Sequence, residues 1–200
     1  MSTLLSLEVL GALVGILYII LEYRASVWLW PVGVVMPVIY IYIYFVAGIY
    51  ADMGINVYFL LAAIYGWIVW LRGTHRKASS DEQQRPSEAI QCTTPREWMW
   101  CTAAFVATFA ALAYTLINFT NSTVPYCDSL TTALSVVGMW MLAHKRIEHW
   151  IIWIVVDAIS TLLYIEKSLY PTAALYALYT IIAICGYFKW RRMMHMEQEL

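Results

Sequence analysis

The sequence has little charge: Asp, Glu, Lys and Arg together make up 12% of its 200 residues. A soluble domain carries about twice that share. Hydrophobic residues account for 62% of the chain and its mean hydropathy is +0.66, whereas soluble domains are roughly 45–50% apolar. The scarcity of charge therefore excludes an ordinary soluble domain. The net charge of −1 hides a strongly patterned distribution and by itself says nothing about nucleic-acid partners; we expect none.

The chain also lacks the motifs of metal sites, disulfide frameworks and common enzymes. Its four cysteines occur singly, with no C-x-x-C spacing and no histidine pair nearby, so metal ligation and disulfide bonding are poor interpretations. It contains no H-E-x-x-H, no paired carboxylates and no phosphate-binding glycine loop. All four histidines are expected in cytoplasmic loops or tails: His75, His144, His149 and His195. These absences predict that the protein is not an enzyme and holds no cofactor.

Long apolar runs are what the sequence has in quantity. Seven of them are long enough to cross ~30 Å of hydrocarbon as helices, at about 1.5 Å per residue. They lie near residues 4–21, 28–47, 53–71, 98–118, 128–143, 149–166 and 169–190. The runs are continuous rather than alternating, which excludes the strands of a membrane barrel. The first has no basic region before it and no small-residue cleavage site after it, so we expect a retained helix rather than a signal peptide.

Charge is concentrated on one side of the predicted membrane. Residues 73–97 form a polar linker with no amphipathic stripe for docking. Eleven of the twelve Lys and Arg residues fall on the side that holds this linker, the loops after helices 1 and 5, and the C-terminus. Lys167 is the exception. The positive-inside rule then predicts an N-terminus outside and a C-terminus in the cytoplasm.

The chain resembles itself at an offset of 120 residues. Ten of the 45 positions from 28 to 72 are identical to their partners, among them Trp30 with Trp150, Gly66 with Gly186, and Trp70 with Trp190. The alternative is coincidence among aromatic-rich helices. A true repeat makes helices 1–3 and 5–7 two parallel copies joined by linker helix 4, a recurring transporter plan with the substrate near the midplane between the halves. The expected divisions are a first unit at 1–72, a polar linker at 73–97, a linker helix at 98–120 and a second unit at 121–200.

Asp157 is the most informative polar residue within the predicted membrane region. It lies near the middle of helix 6, with no Lys or Arg at its depth. An acid there costs at least ~2.5 kcal/mol, which usually marks a site or a pathway; the alternative is a protonated or hydrogen-bonded structural acid. Trp153 and Trp150 precede it by four and seven residues, so the three side chains share one helical face. Carboxylate and indole in a dry cavity suit a flat organic cation, through charge pairing and cation–π contact.

Further binding candidates are weaker, because each is more often a packing residue with a satisfied polar group: Asn56 in helix 3, Tyr40 and Tyr44 in helix 2, and Tyr164 two turns beyond Asp157 in helix 6. Trp150 alone is typical of an interfacial aromatic belt, so Trp153 is the better indole candidate. In the repeat, Pro37 occupies the position of Asp157. The two halves therefore differ at the position of Asp157, as expected if only the second half supplies the charged group of the site.

Several short motifs occur in a distinctive order. Trp150, Trp153 and Asp157 form W-x-x-W-x-x-x-D, and residues 28–33 read W-L-W-P-V-G. Others are Y-A-D-M-G at 50–54 followed by Asn56, Y-G-W at 65–67, D-S-L-T-T-A-L at 128–134, and G-Y-x-x-W at 186–190. In combination, over nearly the whole chain, they resemble the Pnu family of vitamin transporters, most closely its nicotinamide riboside transporters.

The resemblance implies a seven-helix fold in the bacterial inner membrane, related to the SWEET sugar transporters, with two three-helix units around a linker helix. It implies facilitated diffusion of a cationic vitamin precursor, most simply nicotinamide riboside, with a cytoplasmic kinase phosphorylating the vitamin and preventing its exit. It also implies a homotrimer. Asp157 and Asn56 stand where the family often has asparagine and glutamine, which keeps thiamine open as an alternative, and riboflavin is carried by other relatives. A non-transporting membrane anchor or assembly subunit is the alternative from another class.

Overall fold

The chain forms seven α-helices over the residues that the structure, a computed structural model, describes: 2–47, 50–77, 90–120 and 123–198, with side chains described for 13–46, 53–72, 90–120 and 123–196. The helices are α1 (Ser2–Tyr23), α2 (Leu29–Ala47), α3 (Tyr50–Lys77), α4 (Pro95–Phe119), α5 (Pro125–Ala143), α6 (His149–Glu166) and α7 (Tyr170–Gln198). Every predicted apolar run is therefore confirmed as a helix. The side chains of Tyr50, Ala51 and Asp52 in the Y-A-D-M-G motif lie outside the described residues.

Two helices extend well beyond their apolar runs. α3 continues to Lys77 and α7 to Gln198, because the polar residues that follow each run are also compatible with helix. His75 and His195 consequently lie within helices, and His149 is the first residue of α6. The expectation that all four histidines occupy loops or tails is therefore wrong.

Five helices are long and apolar enough to cross a membrane by length and composition. These stretches are Leu29–Val46, Met53–Arg72, Pro95–Phe119, His149–Glu166 and Tyr170–Met196, and the described part of α1 adds a shorter apolar segment, Leu13–Tyr23. α5 is not among the five because Asp128 and several hydroxyl residues lower its hydropathy. Nine of its 19 residues are buried, so neighbouring helices cover much of its surface.

The chain divides into two compact units, Met1–Ala89 and Ile90–Leu200. In the first unit α2 packs against both α1 and α3. In the second unit α4 packs against α5, α5 against α6, and α6 against α7. The predicted linker helix α4 thus belongs to the second compact unit.

The second unit has its best-packed core where α4, α5 and α6 meet. Five buried side chains form it: Cys101, Val137, Met141, Ile152 and Val156. Small residues on α5 allow the close approach that helices need in the absence of a hydrophobic drive between them. The α5 hydroxyls are satisfied within the helix, as when Ser135 Oγ donates to the Thr131 carbonyl at 2.8 Å. The core therefore leaves these hydroxyls without a ligand-binding role.

The end of the predicted polar linker is docked, contrary to the expectation that it has no means of docking. Gln91 forms a parallel bridge with the turn between α5 and α6: its N–H donates to the Lys145 carbonyl at 3.1 Å and its carbonyl accepts from Ile147 N–H at 3.0 Å. Ile90 is buried beside it. Backbone pairing needs no apolar stripe in the sequence, which explains why the pattern did not predict it. Residues 78–89 of the linker lie outside the described part.

Side chains reinforce this docking. The Arg146 guanidinium donates to Gln91 Oε1 at 2.7 Å and pairs with Glu97 Oε1 at 2.6 Å. The Thr93 N–H and hydroxyl both donate to Glu148 Oε2, at 2.9 and 2.7 Å. Two backbone hydrogen bonds, one ion pair and the two Thr93 hydrogen bonds to Glu148 thereby hold the segment before α4 against the segment before α6.

α1 and α5 end in the same way. Each closes with a residue at positive φ, Ala25 at 50° and Lys145 at 51°, and these positions are 120 residues apart. The next N–H reaches back five residues in both: Ser26 to the Leu21 carbonyl at 3.0 Å, and Arg146 to the Met141 carbonyl at 2.8 Å. This is the Schellman motif. The self-similarity of the sequence therefore extends to the backbone of the turns that precede α2 and α6.

Candidate functional site

Asp157 is a buried acid of α6. Its exposed fraction is 7%. α5 and α6 contain no Lys or Arg, and the first basic residue of α7 is Lys189. A buried carboxylate is unfavourable unless polar groups or an ion of opposite charge stabilise it. The cost of burying this acid makes Asp157 the leading site candidate of the second unit.

Two tyrosines of α7 form an aromatic cluster with α6. Tyr176 stacks on Tyr164 of α6, with ring centroids 5.2 Å apart and an interplanar angle of 25°. Tyr179 meets Tyr176 edge to face at 5.9 Å. The structure thus joins Tyr164, two turns beyond Asp157 on α6, to two aromatic residues of the next helix.

The sequence analysis did not single out Tyr176 or Tyr179. A signal was nevertheless present, because Tyr176 lies 120 residues after Asn56 and Asn56 was already a candidate in helix 3. Their spacing of three residues also places both on one face of α7. Which face of α7 meets α6 is a tertiary property, and periodicity within α7 does not specify it.

Trp153 turns towards α5 and the core. Its indole packs against the cluster around Val137 and Met141, and a Cβ added at Gly138 would lie 3.6 Å from its Cε2 atom. Its Nε1 is buried and makes no hydrogen bond within the described residues. The indole nitrogens of Trp30 and Trp150 share this property. An unsatisfied indole N–H therefore does not by itself distinguish Trp153 as a ligand group.

Trp150 is a helix-packing residue in this structure. It is fully buried, meets Trp190 edge to face at 5.8 Å and 83°, and lies against Gly186. The buried ring of His149 lies between the two indoles, 4.7 Å from each. Full burial is incompatible with an interfacial belt residue, whose ring faces the headgroups. Trp150 therefore packs α6 against α7, two helical turns before Asp157.

The first unit contains the same arrangement. Trp30 is fully buried, meets Trp70 edge to face at 5.6 Å and 83°, and lies against Gly66. These three residues are 120 positions before Trp150, Trp190 and Gly186. The same packing therefore occurs in a unit whose residue at the position 120 before Asp157 is Pro37, so it does not depend on the acid. The packing of Trp150 is thus common to both units, whereas Asp157 occurs in the second unit alone.

Trp153, in contrast, differs from its repeat partner. In the first unit the contact between the first two helices has Tyr18 of α1 against Gly33 of α2, where an added Cβ would lie 2.8 Å from the ring. The equivalent pair in the second unit is Gly138 of α5 and Trp153 of α6. The aromatic residue is on the first helix of the pair in the first unit and on the second helix of the pair in the second unit, and glycine is on the other helix each time. The second unit therefore places an aromatic ring on α6, one turn before Asp157, where the first unit has glycine.

The remaining candidates belong to the first unit. Tyr40 and Tyr44 stack in parallel on α2, with centroids 5.6 Å apart and an angle of 18°. Asn56 is half-buried on α3. A further buried acid, Glu22 of α1, has an exposed fraction of 3% and acts electrostatically on Tyr18. Glu22 was missed because it lies at the end of its apolar run, where the sequence pattern is typical of an exposed residue.

Comparison with known proteins gives a consistent result. Residues 5–192 match the sequence model of a family described as the nicotinamide mononucleotide transporter family. The nicotinamide riboside transporter PnuC of Escherichia coli is 23% identical over 205 residues, covering 92% of this chain and 84% of that protein. The riboflavin/roseoflavin transporter RibM of Streptomyces davaonensis is 24% identical, covering 92% and 83%.

A solved structure shares the fold. The crystal structure of the vitamin B3 transporter PnuC superposes with a TM-score of 0.67 at 21% identity, covering 92% of this chain and 80% of that one. A likeness at this level establishes the helical architecture.

Proposed function

This chain belongs to the nicotinamide mononucleotide transporter family and is a multi-pass membrane transporter rather than an enzyme, and we propose that it carries nicotinamide riboside by facilitated diffusion. Asp157 carries the proposal. It is a buried carboxylate on a helix without Lys or Arg, one turn after Trp153 on the same helical face. The pyridinium ring of nicotinamide riboside is flat and positively charged, so a carboxylate and aromatic faces complement it.

The substrate-binding residues of this proposal are Asp157 for the charge and Trp153 for the ring, with Tyr164 beside them. Trp150 holds α6 against α7 and contributes to binding only through that packing. The first unit offers Asn56, Tyr40 and Tyr44 as weaker candidates. The exchange of aromatic and glycine between the two units supports the choice of Trp153, because the second unit alone has both an acid and an indole on this face of its middle helix.

Thiamine is a second candidate substrate. It is also a flat cation, so Asp157 favours it equally over a neutral ligand. The name of the relative RibM assigns riboflavin to that protein, but riboflavin is neutral and has no use for a buried acid. The alternative of a non-transporting anchor or assembly subunit leaves this acid without a role.

The transport model has four further parts. Helices α1–α3 and α5–α7 form two parallel repeats joined by α4, in the manner of the SWEET transporters, and the recurring Trp–Gly–Trp packing supports this. The N-terminus lies outside and the C-terminus in the cytoplasm of a bacterial inner membrane, as the distribution of Lys and Arg favours. Three copies of the chain associate. A cytoplasmic kinase phosphorylates the imported vitamin and so prevents its exit.

Uptake by liposomes tests the proposal. The purified protein is reconstituted without any kinase or energy source, and radiolabelled nicotinamide riboside, thiamine and riboflavin are supplied separately. We expect nicotinamide riboside to equilibrate across the membrane, and quenching of tryptophan fluorescence to report its binding. A membrane potential biases a cation by ~2.3 kcal/mol per 100 mV. Accumulation of nicotinamide riboside beyond the level that the membrane potential sets would contradict the proposal. Uptake of riboflavin but of neither cationic vitamin would also contradict it.

A further inference from the structure

Glu148 stands immediately before α6 and binds the segment before α4 with its carboxylate. The N–H and the hydroxyl of Thr93 both donate to Glu148 Oε2, at 2.9 and 2.7 Å, and Thr93 is buried. Glu148 occupies the N-cap position of α6 but makes no capping hydrogen bond with its side chain. An acceptor at this position usually bonds to the first N–H groups of its own helix. The Glu148 carboxylate is instead used to link two different helices.

The Thr93–Glu148 contact completes a set of three links among α4, α5 and α6. α4 packs against α5 and α5 against α6, and side chains of all three helices meet in one buried core. Apolar packing is non-directional, whereas a hydrogen bond weakens steeply when its angle changes. The two hydrogen bonds at the start of α6 therefore restrict the rotation of this helix about its own axis.

The rotation of α6 matters because Trp153 and Asp157 project from it. Side chains reach about 5–6 Å from a helix axis, so a rotation of ~10° displaces their ends by roughly 1 Å. A binding site needs its groups held to within ~0.5 Å and ~10–20° of the productive geometry. A small rotation of α6 would therefore be enough to weaken binding.

The carboxylate before the middle helix is specific to the second unit. The position 120 residues before Glu148 is Trp28, which has an exposed fraction of 67%. The backbones of the two turns match, because both are Schellman motifs, so the difference lies in the side chains. Asp157 is likewise specific to the second unit, where the first has Pro37. The carboxylate that links α6 to α4 thus occurs in the same unit as the acid of the site.

We propose that Thr93 and Glu148 are positioning residues, which set the rotation of α6 and thereby the direction in which Asp157 and Trp153 face the ligand. This inference rests on the proposed function, because it concerns the same site. Hydrogen bonds to an ionised acceptor are roughly twice as strong as neutral ones, which suits them to hold the end of a helix.

Removal of the Thr93 hydroxyl tests the inference. Thr93→Val deletes one donor to Glu148 at nearly unchanged volume. The Kd for nicotinamide riboside is measured by tryptophan quenching in detergent, together with the midpoint of thermal unfolding. We expect this Kd to rise about threefold to tenfold, as for coupled residues of one network. Thr93→Ser keeps the hydroxyl and should bind as the wild type does. An equal loss in Thr93→Ser would overturn the inference, because it would assign the effect to the methyl group.

The neighbouring residue provides the matched control, Thr94→Val. The Thr94 hydroxyl belongs to the capping box of α4 and bonds to Glu97 rather than to Glu148. Loss of this cap should lower the unfolding midpoint and leave the Kd unchanged. A loss of affinity equal to that of Thr93→Val would show a general effect of stability and overturn the inference. An unchanged Kd in Thr93→Val would also overturn it.

A double-mutant cycle distinguishes positioning from a purely structural role. If Thr93 acts through Asp157, adding Thr93→Val to Asp157→Asn should lower the affinity less than Thr93→Val does in the wild type. Fully additive losses would overturn the inference and leave the proposed function intact. Failure of the wild-type protein to bind either nicotinamide riboside or thiamine would overturn the proposed function, and this inference with it.

Discussion

The indole of Trp150 lies directly against Gly186. A Cβ added at Gly186 would lie 2.6 Å from the Cη2 atom of Trp150, closer than real Cβ atoms approach a neighbouring atom. Trp150 is fully buried and is held on another side by Trp190, so its ring has no free space into which it could move. The approach of α6 to α7 therefore depends on the absence of a side chain at position 186.

Gly186→Ala should lower stability. Overpacking a rigid buried contact costs about 1–3 kcal/mol, which we expect as a lower midpoint of thermal unfolding in detergent. Gly54→Ala is the matched control, because nothing lies within 4 Å of a Cβ at Gly54 and alanine favours helix by about 0.8–1.0 kcal/mol. An unfolding midpoint for Gly186→Ala at or above that of Gly54→Ala would show that the described contact is not formed.

Trp150→Phe should affect stability more than binding. The smaller ring leaves part of the pocket between α6 and α7 empty and weakens the edge-to-face contact, at a cost of about 1–2 kcal/mol. Trp30→Phe removes the equivalent ring from the first unit and should cost a similar amount. Thermal unfolding and ligand titration are measured on both variants. A large loss of affinity in Trp150→Phe at unchanged stability would place this indole in the binding site instead.

Asp157→Asn should weaken binding of a cationic vitamin and leave the fold intact, because the amide has nearly the same volume and only the charge is lost. A hydrogen bond to a charged group is worth about 1.5–3 kcal/mol, so we expect the Kd to rise roughly 10- to 100-fold. Trp153→Phe keeps an aromatic face and loses part of a cation–π interaction of about 0.5–2 kcal/mol, so its effect should be smaller. The reverse order would indicate a stacking site for a neutral ring.

Exchange of Arg146 and Glu97 tests the docking of the linker end. Arg146→Glu and Glu97→Arg should each lower the unfolding midpoint, because one places two acids together and the other two arginines. The double exchange should recover part of the loss, with a coupling energy of about 0.5–3 kcal/mol. Recovery is incomplete because Arg146 also donates to Gln91 and to the Cys92 carbonyl. Arg96→Glu, at an exposed neighbouring position, is the control and should have little effect.

Replacement of residues 78–89 by a Gly-Ser segment of equal length should leave uptake intact, because the sequence there is polar and the docking contacts of the described residues involve positions 90–97. The same replacement of residues 90–93 should reduce uptake or stability, because it removes the buried Ile90 side chain and the Gln91 amide that accepts from Arg146. Glycine also raises the entropic cost of ordering the bridge to Lys145 and Ile147. Uptake and membrane expression are measured in parallel. Loss of uptake at normal expression in the first variant would assign a transport role to the segment.

Much of the fold could be predicted from the sequence. The seven apolar runs became α1 to α7, because a run of ~20 apolar residues has no stable alternative to helix in a membrane. Most ends shifted little, but α3 and α7 continue well beyond their runs. The shared face of Trp153 and Asp157 follows from helical periodicity alone. The offset of 120 residues predicted that positions such as Trp30 and Trp150 correspond.

Other features required the tertiary structure. The aromatic composition suggested an exposed belt position for Trp150, but Gly186 and Trp190 of α7 enclose it. The polar linker gave no sign that Gln91 would pair with the turn after α5, since backbone hydrogen bonds leave no pattern in the side chains. The stacking of Tyr176 on Tyr164 is a further example, because the offset of Tyr176 from Asn56 does not specify which face of α7 meets α6.

The sequence by itself determined which segments are helices, which residues share a face within each helix, and that a single acid lies deep in α6. The tertiary structure decided which faces meet. That choice depends on the rotation and separation of neighbouring helices. Close contacts set both, such as those of Gly186 with Trp150 and of Gly138 with Trp153. Hydrophobic periodicity describes one helix at a time, whereas the side chains around a buried residue come from several helices. The contact of the Tyr164 ring on α6 with the Tyr176 ring on α7 is consequently a property of packing.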